Sequence, residues 1–394
     1  MSQCPCCENQ EFHDLVTFNA VPVSIKILNA PNDPVIARDL SFEVCSRCAL
    51  VRLRDFDRPP DYTNINRAPV LRQPPHVEEM VRKLVARGVR SSDFLLEIGS
   101  NDGSFLEVLQ NAGFNNVVGV EPSRVLADVA RAKGFRIEND YFDVSLAHHV
   151  LRRYGHPAAV ICRHTLEHVP DPDTFIAAIR QCLDQAHGWF LLEIPDGSAI
   201  PELMNVYEFW YEHLFYFSAA NVEQLLRRNR FDVLEIQSIP HLDTRNLVAW
   251  TKPVSQTLKL LPDAAFDSAR EAWGRFGESW KEYKAAFSRR IVAAARPVYA
   301  IGASHSQTNF FNYADIISAV DFMIDDDPAK VGRFAPVREK SPAVISTKDF
   351  ESSAHSGTVI KTGFGYRSWT ARICDHAKAK GITIIDPYSE HGLR

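Results

Sequence analysis

Glu212 and His213 are neighbours in the stretch "FWYEHLFYFS", Phe209 to Ser218, which also carries Trp210, Tyr211 and Tyr216. A carboxylate beside an imidazole can move a proton when a substrate lies within hydrogen-bond reach. A second set stands in "CRHTLEHVPDP", where Arg163, His164, Glu167 and His168 fall close together. A lone histidine is more often a packed or surface residue than a catalyst. Two of them with a glutamate in one loop become catalytic candidates if the fold brings that loop to a ligand.

A different chemistry is written in the cysteines. Five of the eight (Cys4, Cys6, Cys7, Cys45 and Cys48) lie within the first 48 residues. Cys4 with Cys7 and Cys45 with Cys48 make two C-x-x-C pairs, enough to complete a tetrahedral zinc site. Cys6 offers Cys4 an alternative C-x-C pairing. Four thiolates leave no open coordination position, so the zinc is expected to be structural. A chelator is then expected to loosen the N-terminal domain without removing the chemistry. Cys162, Cys182 and Cys374 are scattered and read as small core residues.

A third set surrounds a glycine loop. "LLEIGSNDGSFLEVL" is a strand, a turn and a helix start, containing Glu97, Gly99, Ser100, Asn101, Asp102, Gly103 and Phe105. The turn reads G-x-x-x-G rather than the G-x-G-x-x-G of a dinucleotide pyrophosphate site, and Asp102 would repel phosphates. S-adenosylmethionine, with its sulfonium and amino-acid head, suits carboxylates at Glu97 and Asp102. Glu121 follows one strand later in "VVGVEPS", with Pro122 and Ser123, where a carboxylate can accept from both ribose hydroxyls.

The elements that must position these groups follow from periodicity. Residues 1–75 are poor in helical pattern. From 76 to about 252 strand and helix signals alternate, beginning with a helix at 76–88 that turns Val77, Met80, Val81, Leu84 and Val85 inward. Such alternation implies a doubly wound parallel sheet with helices on both faces. The last two strands, "FDVLEIQSI" and "NLVAWTK", have a short connection and are expected to form an antiparallel edge hairpin. Both histidine-bearing segments follow strands, at the carboxyl edge where open α/β sheets bind ligands. Residues 254–294 read as one long helical segment. Four strand signals then follow ("PVYAIGAS", "AVDFMIDDD", "TVIKTGF", "ITIIDPY"), giving a second, smaller α/β domain within 253–394.

Bulk properties remove some classes. The 394 residues carry 44 Lys and Arg against 49 Asp and Glu, a formal net charge of −5 that offers no basic field for nucleic acid. No apolar run approaches the roughly 20 residues that span a bilayer. The N-terminus lacks a basic and then apolar signal region, so the chain is expected to be cytoplasmic.

In their order, the cysteine module, "EIGSNDGSFL", "GVEPS", "RHTLEHVPDP", "YEHLFYFS" and the terminal α/β domain together resemble the sugar C-methyltransferases of deoxysugar biosynthesis. The resemblance covers essentially the full chain. It implies a zinc domain at 1–75, a class I methyltransferase domain at 76–252, and a helical connector with a Rossmann-like substrate-binding domain at 253–394. It further implies that a nucleotide-linked 4-keto sugar is deprotonated to an enolate and methylated at carbon. His213, Glu212, Tyr211, His168 and His164 are the catalytic candidates it suggests. Arg163 and His164 join the loop residues around S-adenosylmethionine. Substrate contacts are implied at Trp210, Tyr216, Asn246, Gly302, Ala303, Ser304, His305, Asn309 and Asp325.

The chain departs from that family's pattern in three places. Trp210 stands at the tyrosine and Tyr211 at the first histidine of a Tyr-His-Glu-His strip. Ser306 stands at a lysine of the C-terminal glycine-rich loop, and "HLDTRNL" replaces His-Gly-Gly-Ser-Leu-Arg. N- or O-methylation of a polar metabolite, and a scaffold that binds the cofactor without turnover, are the competing expectations.

Overall fold

The computed structural model describes residues 3–23, 27–54, 61–64, 74–183, 188–337, 340–362 and 367–387. Three sheets organise them. In chain order the strands are β1 (Phe12–Pro22), β2 (Ala37–Cys45), β3 (Val51–Leu53), β4 (Leu95–Ile98), β5 (Val117–Val120), β6 (Arg136–Glu138), β7 (Ala159–Arg163) and β8 (Trp189–Pro195). They continue with β9 (Phe215–Tyr216), β10 (Phe231–His241), β11 (Thr244–Pro253), β12 (Val298–Ile301), β13 (Phe322–Ile324), β14 (Ala343–Ile345), β15 (Thr358–Ile360) and β16 (Thr383–Ile385).

The seven-stranded sheet runs β10-β11-β8-β7-β4-β5-β6, parallel except at β11 and β10. This is the class I methyltransferase order, with the expected edge hairpin closed by Leu242 and Asp243. Strand order reverses beside β4, and the crevice at that reversal is where such sheets take ligands. Helix His76–Ala86 buries Val77, Met80, Val81 and Leu84 against the sheet. Val85, expected inward, is 57% exposed because the buried stripe passes to one side of it.

Two expectations about the C-terminal half change. The helix begins at Asp267, not at 254, and runs to Val292 with Trp273, Phe276, Trp280, Tyr283 and Phe287 buried. Pro253 and Pro262 lack the N–H that a helix interior needs, and the Leu261 N–H donates to Gln224 Oε1 instead. The terminal sheet has five parallel strands, β14-β13-β12-β15-β16, rather than four. The extra strand, β14, is three residues long and follows Pro342. The stretches "TVIKTGF" and "ITIIDPY" each end outside the described residues.

The first sheet has a consequence for the Glu212–His213 strip. Its order is β1-β2-β3-β9, and β9 is Phe215–Tyr216 from the strip itself, with Val51 opposite Tyr216 and Arg52 opposite Phe215. Asn221 adds a second tie by donating Nδ2–H to the Cys48 carbonyl at 2.8 Å. The cysteine module and the strip are therefore one packed unit. The expectation that the module can loosen while the chemistry stays intact does not fit this pairing.

Candidate active site

The cofactor loop is built by steric necessity. Gly99 has φ +77°, and a Cβ there would lie 2.1 Å from Thr165 Oγ1. Gly103, at φ +78°, opens helix Ser104–Asn111. Glu121, at the end of β5, accepts the Asn101 and Ser123 N–H groups, each at 2.8 Å. Asp102 Oδ1 accepts from the Ser104 N–H at 3.1 Å, and Lys133 Nζ lies 3.4 Å from Oδ2. Ser123 caps the next helix through the Leu126 N–H.

Glu97 is buried, and its Oε2 has no hydrogen-bond partner among the described residues. Burial pushes its pKa up to about 8, Arg163 opposes the shift, and Glu121 and Asp102 add to it. A buried polar atom without a partner costs free energy. A cationic ligand with N–H donors satisfies Glu97 and offsets the three crowded carboxylates. The ammonium and sulfonium of S-adenosylmethionine meet that requirement, and its ribose hydroxyls suit Glu121.

A second group centres on Glu193, a fully buried residue of β8. Its Oε2 accepts from Arg163 Nε at 2.6 Å. Its Oε1 lies 2.7 Å from His76 Nε2, 2.8 Å from Asn246 Nδ2 and 3.5 Å from His164 Nε2. Burial alone would raise its pKa, but hydrogen bonds from His164 and His76 outweigh burial and hold it well below the usual carboxylate range. His164 is pulled down by burial and pulled up more strongly by Glu193 and Glu167, with a net rise. His241, whose ring lies 5.9 Å from that of His164, is lowered to about 4, mainly by burial. The Arg163 guanidinium stacks 4.5 Å over Phe105 beside the cofactor loop. Asn246 is thus engaged with Glu193.

The structure brings the two histidine segments together. The Glu212 carbonyl accepts from His168 Nδ1 at 2.8 Å, and the Tyr62 hydroxyl is 2.9 Å from the same nitrogen. The His213 ring meets His168 edge-on at 4.8 Å and stacks on Trp210 at 5.5 Å. Trp210 in turn meets His305 at 4.6 Å. Glu167 is buried and holds the strip through its carbonyl, which accepts the Leu214 N–H at 2.7 Å. Tyr211 is half-buried, with Arg38 5.6 Å over its ring. The Tyr216 hydroxyl is spent on the Trp210 backbone, accepting its N–H at 2.9 Å, so it fixes the turn.

The C-terminal candidates divide in the same way. Gly302 makes room for the Gln307 side chain, which forms a capping box with Ser304. Asp325 accepts the Ala303 N–H at 3.0 Å and pairs with Lys330 at 2.9 Å. His305 bonds Asn309 at 3.0 Å, while Asn309 Oδ1 and Trp210 Nε1 are buried with no partner among the described residues.

Sequence reasoning missed Tyr62, His76, Glu193, Glu208 and His241. Glu208 is half-buried; burial raises it to about 7, His164 opposes the shift and Glu167 adds to it. Glu193 had a readable signal, since it is the one charge in the apolar strand "WFLLEIP". Tyr62 and His76 had none, because a linker and a helix start bring them to the site.

The four cysteines Cys4, Cys7, Cys45 and Cys48 hold their sulfurs within 4.8 Å of one another, all buried, which is the donor set of a tetrahedral zinc. Cys6 is not one of the four, and its Sγ lies 3.5 Å from the Asn221 carbonyl. That separates Cys7 from the C-x-C alternative.

Residues 74–236 match the family model described as a methyltransferase domain. That segment is a methyltransferase domain. The chain is also similar to C-methyltransferase NovU of Streptomyces niveus, 26% identical over 283 residues, covering 69% of this chain and 65% of that protein. The match thus spans less than two thirds of the relative's length. Among solved structures, the magnesium protoporphyrin IX methyltransferase of Synechocystis PCC 6803 with bound S-adenosylmethionine is 18% identical with a TM-score of 0.34, over 45% of this chain and 77% of that one. A methyltransferase of Archaeoglobus fulgidus is 15% identical with a TM-score of 0.37, over 45% and 94%. No helix among the described residues is long and apolar enough to cross a membrane.

Two outcomes follow for the methyltransferase domain. S-adenosylmethionine favours ionised Glu97, so calorimetric affinity should rise from about pH 6 toward 8 with proton uptake by buffer. Glu97→Gln should flatten that rise. Glu193→Ala leaves Arg163 and His76 without their carboxylate, and denaturant unfolding should register a loss of about 3–5 kcal/mol.

Proposed function

We propose that this protein methylates a carbon next to the ketone of a nucleotide-linked 4-keto deoxysugar, with S-adenosylmethionine as donor. The observation that carries the reading is the convergence of His213, His168 and Tyr62, with the Glu212 backbone carbonyl holding His168, beside the segments that follow β7 and β8. Transfer to oxygen or nitrogen does not require so many proton-handling groups, whereas carbon becomes nucleophilic only after losing a proton. Similarity to a C-methyltransferase supports the same choice.

When bound, S-adenosylmethionine supplies an electrophilic methyl group. Glu97 and Glu121 would hold its charged head and ribose, and Arg163, fixed by Glu193, packs beside the loop. Glu212 or His213 takes the proton next to the ketone; the C–H pair becomes the enolate C=C bond as the carbonyl π pair moves onto the ketone oxygen, and the C–C bond to the methyl forms as the S–CH3 bond breaks with its pair left on sulfur. We assign Tyr62 with His168, and Tyr211, to stabilising that oxygen. Trp210, which meets His305 of the C-terminal domain, is assigned with Ser304, His305 and Asn309 to the nucleotide sugar. Trp210, which replaces a phenol, favours the second reading of N- or O-methylation, where activation demands less.

The cysteine module, in this reading, carries one structural zinc on Cys4, Cys7, Cys45 and Cys48. Cys45→Ser should yield protein without that zinc, with a lower melting temperature and, through β9, impaired methyl transfer.

The test of the carbanion is solvent exchange. With S-adenosylhomocysteine in place of the donor, the hydrogen next to the ketone should exchange with deuterium, and Glu212→Gln should slow exchange by about a hundredfold or more. A substrate that is methylated but never exchanges contradicts the reading.

A further inference from the structure

We propose that Tyr141 is a positioning residue for methyl transfer: its hydroxyl grips the backbone at Asp61–Thr63 and so holds the Tyr62 hydroxyl against His168. The grip stands on its own geometry; its effect on the ketone rests on the function proposed above.

Tyr62 is bonded at both ends. Its N–H donates to the Tyr141 hydroxyl at 2.9 Å, and its own hydroxyl lies 2.9 Å from His168 Nδ1. The Tyr141 hydroxyl donates in turn to Asp61 Oδ1 at 3.4 Å, so one oxygen serves as acceptor and donor. Asp61 Oδ1 also accepts the Thr63 N–H at 3.0 Å and the Thr63 hydroxyl at 2.7 Å, which closes a turn around Tyr62.

The other side of Tyr141 is fixed from the cofactor-binding sheet. Asn139 directly follows β6 and donates Nδ2–H to the Glu121 carbonyl at 2.8 Å and to the Pro122 carbonyl at 3.0 Å. The Tyr141 N–H donates to Asp140 Oδ1 at 2.8 Å, which tightens the bend between them. The turn Tyr62–Asn64 also packs on helix Arg124–Ala132, which starts just after Glu121. Tyr62 is therefore held from the strand ends that carry Glu121, while its hydroxyl reaches the histidine segment after β7.

A tyrosine has two side-chain torsions, so few positions remain for its hydroxyl once the backbone is fixed. Releasing the backbone restores the torsions of the turn, and the hydroxyl must then be ordered anew in each turnover. Tyr141 is 45% exposed, so deleting its hydroxyl removes both hydrogen bonds and disturbs little packing. It acts through Tyr62 rather than on the substrate.

The test is Tyr141→Phe in the full-length protein. Hydrogen exchange read by mass spectrometry should show the amides of 61–64 exchanging at least about fivefold faster, with helix Arg124–Ala132 at wild-type rates. The ring ¹⁵N resonances of His168, identified by their loss in His168→Asn, should move toward their positions in Tyr62→Phe. With a nucleotide-linked 4-keto deoxysugar, kcat should fall at least about fivefold while calorimetric affinity for S-adenosylmethionine stays at the wild-type value. Tyr62→Phe should lower kcat by itself, and adding Tyr141→Phe to it should lower kcat no further. Unchanged exchange at 61–64, or unmoved His168 resonances, overturns the grip. Additive losses in the double variant show that Tyr141 acts by another route and overturn the positioning role. Wild-type protein that methylates no ketosugar removes the function proposed above, and the exchange rates and histidine resonances still decide whether Tyr141 positions Tyr62.

Discussion

A single buried carboxylate, Glu193, sets the geometry that the rest of the site depends on. Burying an ionised group costs several kcal/mol unless partners repay it in place. Here the partners come from helix His76–Ala86, the end of β7, the residue after it, and β11. Each is pinned to one position because the carboxylate has no solvent to turn to. Arg163 is thereby fixed over Phe105, and His164 is held at φ +48°, a backbone state that few residues tolerate without support. The antiparallel hairpin is tied in as well, since a shift of one residue in its register would swing Asn246 to the opposite face.

The second constraint is aromatic. Phe209 lies against Phe18, Phe42, Tyr216, Trp273 and Phe276, which come from the first sheet, the strip and the long helix. Its carbonyl also accepts the Tyr313 hydroxyl at 2.6 Å, joining the C-terminal domain to the same point. The strip is thus core at Phe209, Leu214, Phe215 and Phe217, with the half-buried Trp210 to His213, the proposed site residues, between them. The buried aromatics hold the partly exposed four. A wall of packing and a set of proton-handling groups share one segment.

The sequence made the methyltransferase sheet, its edge hairpin and the cysteine donor set legible, because periodicity, glycine turns and paired C-x-x-C spacings are local signals. The loop Gly99–Gly103 and Glu121 were legible for the same reason. What escaped was carried by contacts distant in sequence. β9 is two residues long and exists because β3 offers it an edge. Tyr62 reaches His168 across 106 positions, and His76 reaches Glu193 across 117. Tyr216 looked like a ligand contact, yet its hydroxyl closes a turn only six residues away. Type and spacing reveal that a residue can do chemistry. Only the packing reveals whether its polar atoms are already spent.

The central claim is transfer of a methyl group to carbon, and the most direct measurement is where that methyl ends up. With S-adenosylmethionine labelled with ¹³C in its methyl group and a nucleotide-linked 4-keto deoxysugar, NMR of the product should show the label bonded to a ring carbon next to the former ketone position. That ring carbon should have lost a hydrogen. A label bonded to oxygen or nitrogen would contradict the account.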